Sequence, residues 1–87
     1  MSIIKNKKLS RAVTKFTSAM RTRLAVKEKI GYKGWDGDMP RDLDLLHDIQ
    51  HDATILEKQW GTAEKEKLLV DIANRTMMLW NRMRASA

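Results

Sequence analysis

Apolar residues recur every three or four positions along nearly the whole chain, a spacing that leaves room for little but amphipathic helices. Leu9, Val13, Phe16, Met20 and Leu24 follow one another at steps of four, three, four and four, which winds them into one stripe at 3.6 residues per turn. The stripe predicts a first helix over about residues 9–29, with Asn6 or Ser10 as its cap. Three glycines within residues 31–37 then break the pattern, because glycine carries the backbone freedom that loops use and helices penalise. Pro40 suits the first turn of a second helix, where its missing N–H costs nothing, and Asp42 and Asp44 sit well near the positive end of that helix. Its stripe is Leu43, Leu46, Ile49, Ala53, Leu56 and Trp60, widened by Leu45 and Ile55. Gly61 ends it and Thr62 can cap a third helix over about residues 63–84, with Leu69, Ile72, Thr76, Leu79 or Trp80, and Met83 as the core stripe. Phe16, Trp60 and Trp80 all fall on these stripes and are assigned to the core.

The expected fold is therefore all-α: a helical hairpin of helices two and three, preceded by a basic leading helix. Residues 1–8 read as a basic N-terminal arm and 9–87 as one domain. Only 87 residues long, with no cysteine, the chain can build a thin core and has no disulfide or thiolate site to staple it. Leu45, Ile55, Val70 and Met77 lie outside single stripes, so a bundle completed by a second copy, a dimer or higher homo-oligomer, is expected. Apolar runs are far short of the ~20 residues that cross a bilayer, and residues 1–10 carry lysines without the apolar stretch of a signal peptide. The expected location is the cytoplasm, with no membrane partner.

Charge is distributed very unevenly. Residues 1–35 carry ten basic side chains against Glu28 alone, a net +9, while residues 36–60 carry seven acids against Arg41 and Lys58, a net −5. In the first helix Lys8, Arg11, Lys15, Arg21, Arg23 and Lys29 have no acid four residues on to pair with. Their partners must lie elsewhere in the fold or outside it, and a basic surplus of this kind attracts polyanions such as nucleic acid or nucleotide phosphates. Lys33 and Trp35, in the glycine-rich segment, extend that candidate nucleic-acid surface, Trp35 as an aromatic that can stack on a base.

Helix two also carries His47-Asp48-Ile49-Gln50-His51-Asp52. The two histidines stand one turn apart, close to the H-E-x-x-H pattern of zinc proteases. A third ligand is not signalled, however, and a chain this short cannot shape a peptide cleft around an open zinc position. Exposed or salt-bridged histidines are the plainer reading.

A different arrangement emerges when the segments are taken together: Met20, Leu24 and Lys27, then Lys33-Gly34-Trp35, then Leu45-Leu46 with Asp48 and His51, then Val70-Asp71-Ile72-Ala73-Asn74 with Met77-Met78-Leu79. Over about residues 20–83 this resembles the MazG-like nucleotide pyrophosphohydrolases, in particular small members of which many are encoded by bacteriophages. The resemblance implies a helical bundle in which an E-x-x-E pair and an E-x-x-D pair hold magnesium and, through it, a nucleoside triphosphate. On that pattern Asp48 stands at the first glutamate and Asp71 at the aspartate, but His51 replaces the second glutamate and Leu68 the third. Magnesium takes hard oxygen ligands, so half of the set it needs is missing.

Three readings follow. In the first, the module is catalytically degenerate and binds nucleic acid or nucleotides through its basic helix. In the second, Asp48, His51 and Asp71 hold magnesium, manganese or another metal that accepts imidazole, and the chain is a metal-dependent nucleoside triphosphate pyrophosphohydrolase with an altered site. In the third, it is a phage-type protein that binds a host protein in the host cytoplasm.

Overall fold

A computed structural model describes residues 3–31 and 41–86, with the side chain of Ser86 left aside. The described residues form three α-helices, α1 (Lys7–Lys29), α2 (Asp42–Lys58) and α3 (Glu64–Ser86), and no strand. The all-α class and the three-helix order agree with the apolar periodicity. None of the helices is long and apolar enough to cross a membrane.

Local chemistry sets the ends of these helices. The Asn6 side chain accepts a hydrogen bond from the Leu9 N–H at 3.0 Å, satisfying one of the donors that a helix leaves open at its start. Lys7 and Lys8 are thus the first residues of α1 and not the end of an arm. At the other end Gly31 takes a positive φ of 91°, the left-handed conformation that turns a chain out of a helix. The cap of α2 is Arg41: its N–H donates to the Asp44 carboxylate at 3.1 Å and its guanidinium reaches the same group at 3.2 Å. The expected start at Pro40 lies outside the described residues. Between α2 and α3, Thr62 does not cap α3 with its hydroxyl as expected, but donates it backward to the Gln59 carbonyl at 2.8 Å.

Helix α3 is the centre of the fold. It packs along α2 and, over a shorter stretch, against α1, whereas α1 and α2 have no Cα–Cα approach within 8 Å among the described residues. The fully buried side chains are few: Leu45 of α2, and Asn74 and Met78 of α3. The core expected on α2 is accordingly displaced. Leu45, read as widening the stripe, is its buried residue, while Leu43, Leu46 and Trp60 are exposed. Phe16 and Trp80, also assigned to the core, are exposed as well. Each of them lies on an apolar stripe, but among the described residues no element covers those stripes.

This openness has a measurable size. The chain exposes 7247 Å², where a compact protein of its mass exposes about 5,300 Å², and its radius of gyration is 14.4 Å where about 12 Å is usual.

Candidate polyanion surface and interhelical ion network

At 100° per residue, Lys8, Arg11, Lys15 and Lys29 fall within a sector of about 60° on α1, with Ser18 and Thr22 filling the turns between. All four cations are exposed. Among the described residues none of them has a carboxylate within ion-pair distance. The stripe runs about 31 Å from Lys8 to Lys29. Arg21 is exposed too, but lies on another side of the helix. The first turn of α1 holds no acidic residue, so Lys7 and Lys8 crowd positive charge against the positive end of the helix dipole. Lys33 and Trp35, the remaining members of the expected surface, lie outside the described residues.

Arg23 departs from that surface. Its Nε donates to Asp71 Oδ1 of α3 at 3.0 Å, and Lys27 Nζ stands 3.6 Å from the same oxygen. One turn along α3, Arg75 meets Asp52 of α2 and comes within 4.0 Å of Asp48. Cations and carboxylates thus alternate across all three helices: Arg23 and Lys27 from α1, Asp71 and Arg75 from α3, Asp48 and Asp52 from α2. The three positive and three negative groups balance. Burial pushes the Lys27 ammonium below its usual pKa; Asp71 pulls the other way, and Arg75 and Arg23 add to the lowering. Farther along the hairpin, Arg82 of α3, largely buried, donates to Asp42 of α2 at 3.3 Å.

The carboxylates expected to share a metal are therefore divided among cations. Asp71 is turned to α1 and buried; Asp48 is exposed beside Arg75; His51 is exposed on α2, as is His47. Among the described residues no three histidine, cysteine or acidic side chains come together in a way that could hold a metal ion. Sequence reading singled out Asp71 and Arg23 but not their pairing. Arg75, which completes the network, is not singled out by sequence reading, and Asp52 enters that reading only as a neighbour of His51.

Asn74, one turn from Asp71, is 1% exposed. Its amide nitrogen donates to the Met20 carbonyl of α1 at 3.3 Å, while its oxygen has no hydrogen-bond partner. This amide and the Arg23–Asp71 pair are polar links between α1 and the hairpin.

No family model, characterised protein or solved structure matches the chain.

Proposed function

We propose that this protein is a small helical, non-catalytic module that binds the phosphate backbone of nucleic acid along α1. One observation carries this reading: Lys8, Arg11, Lys15 and Lys29 form an exposed stripe without acidic partners among the described residues. Cations held this way neutralise phosphates and release the counterions condensed on them, which is the main source of sequence-independent affinity. A phosphate near Lys7 and Lys8 also meets the open N–H groups of the helix start. If the chain is MazG-like, as residues 20–83 suggest, it is a member in which cations have taken over the carboxylates of the metal site. Asp71 with Arg23, and Asp48 with Arg75, then serve cohesion between helices. The pyrophosphohydrolase reading would need those pairs to open before a metal could enter.

Fluorescence anisotropy with labelled single- and double-stranded oligonucleotides, at several salt concentrations, tests the proposal. Affinity should fall with salt at a log–log slope near 0.7–0.9 per phosphate contacted. Replacing Lys8, Arg11 and Lys15 by glutamine should weaken binding to all sequences alike and flatten that slope, since phosphate contacts position a protein without reading bases. Arg21→Gln, off the stripe, should change it less. Absence of binding to either form at 100 μM protein and low salt would rule the proposal out. Assays for pyrophosphate release with magnesium, manganese and zinc test the enzymatic alternative in parallel.

A further inference from the structure

The more exposed side of α3 carries Leu69, Ala73, Thr76, Trp80 and Met83, at steps of four, three, four and three. This is the spacing found along the seam of a helix that packs against another helix. Trp80 and Met83 are 61% and 67% exposed. Beside the other end of the same seam, α1 and α3 enclose an open groove of about 490 Å³ lined chiefly by Ala12, Phe16, Ala19, Leu69 and Val70. A protruding pair of large side chains and an apolar recess thus stand on one helix, a dozen residues apart.

We infer that α3 pairs antiparallel with α3 of a second copy of this chain, about a twofold axis beside Thr76. That symmetry lets each copy's knob fill the other's recess, the self-complementary arrangement that a closed dimer requires. In this register Met83 falls against Leu69 of the other copy, at the mouth of the groove, and Trp80 falls against Ala73, the smallest side chain of the seam. Thr76 meets Thr76. Charge follows the same symmetry. Glu66 and Arg84 are eighteen residues apart, five full turns, and so share one edge of the seam; antiparallel pairing sets each Glu66 beside the other copy's Arg84. In the single chain Arg84 instead lies over Trp80, 5.5 Å from the ring centre.

Area agrees with charge. Over all its surfaces together the chain exposes roughly 1,900 Å² more than a compact protein of its mass, against the ~800 Å² per partner that a standard interface buries. Of the residues from which oligomerisation was expected, Leu45 is fully buried within the chain, and Ile55, Val70 and Met77 are half-buried. Of these residues only Val70, in the lining of the recess, belongs to the dimer inferred here.

Sedimentation equilibrium should give twice the 10.1 kDa of one chain at micromolar concentration. Ala73→Arg, which puts two cations beside the axis, should give a monomer with the same helical circular dichroism. Because the chain has no cysteine of its own, Thr76→Cys should close a single disulfide across the axis and run as a linked dimer without reductant. Glu66→Arg and Arg84→Glu should each weaken the dimer about fivefold to tenfold, and the double exchange should restore it. A wild-type chain that is monomeric at 100 μM would overturn the inference and leave the seam to a partner of another kind. A dimer that Thr76→Cys fails to link and Ala73→Arg fails to disrupt would equally overturn it, by placing the interface elsewhere. None of these readings depends on nucleic acid.

Discussion

Asp71 accepts a hydrogen bond from Arg23 at 3.0 Å, across 48 residues of sequence, and this pair holds α1 to the rest of the fold. It removes one cation from the outer surface of α1 and one carboxylate from any site on the hairpin. Asp71→Ala leaves Arg23 and Lys27 facing each other in a partly buried setting without their shared counter-charge. The expected cost is about 2–3 kcal/mol, below the range for fully buried pairs because Arg23 retains some exposure. Urea unfolding followed by circular dichroism measures it. An unchanged midpoint would show that the pair contributes nothing to cohesion.

Lys27 is expected to behave in the opposite way. Its folded-state pKa lies below 10.5 because burial outweighs the attraction of Asp71, so its protonated form is a burden on the fold. Lys27→Met, which keeps an apolar stem of similar length while Arg23 still serves Asp71, should stabilise the protein at neutral pH. The folded state of the wild type gives up the Lys27 proton before the unfolded chain does. The advantage of the variant should therefore shrink as pH rises through the lowered pKa, and vanish above about 10.5. Thermal melts of both proteins from pH 7 to 11 trace the difference; an advantage that grows with pH would contradict it.

Asn74 offers a separate test of polar cohesion. Among the described residues its buried oxygen lacks a partner, and the side-chain hydrogen bond to the Met20 carbonyl is long at 3.3 Å. A buried acceptor left unpaired costs about 1–3 kcal/mol, more than such a bond returns. Asn74→Leu, close in volume, should raise stability by about 1 kcal/mol in urea unfolding. A large loss would mean that the amide determines how α1 seats.

The start of α2 should respond to acid. The Asp44 carboxyl is held below its ordinary pKa by hydrogen bonds from the Arg41 guanidinium and then from the Arg41 N–H. Its contribution is present in full above the unfolded value of about 3.9 and is lost as pH falls through the depressed folded value. Asp44→Ala should accordingly fray the first turn of α2 at neutral pH, read as faster amide exchange there. Wild type and variant should converge in strong acid; a difference that persists at pH 2 would assign the effect to something other than charge.

Three helices and their order were legible in the sequence, because helix periodicity and glycine breaks act over a few neighbouring positions. Charge asymmetry was legible for the same reason, but sequence reading groups Lys8, Arg11, Lys15 and Lys29 with Arg21 and Arg23, which lie off the stripe. Which apolar stripe is covered, and by what, was not legible. Leu45 and Leu46 are adjacent and chemically identical, yet one is fully buried and the other exposed. That outcome depends on how α2 is rotated against α3, a matter of packing over the whole hairpin. In the same way nothing local distinguishes Arg23 from Arg21, two residues away: only the approach of Asp71 makes one a fastening between helices and leaves the other on the surface. Short-range backbone preferences and periodicity are written residue by residue and determine the elements. Burial and ion pairing arise between residues far apart in the chain, and are decided only when the helices meet.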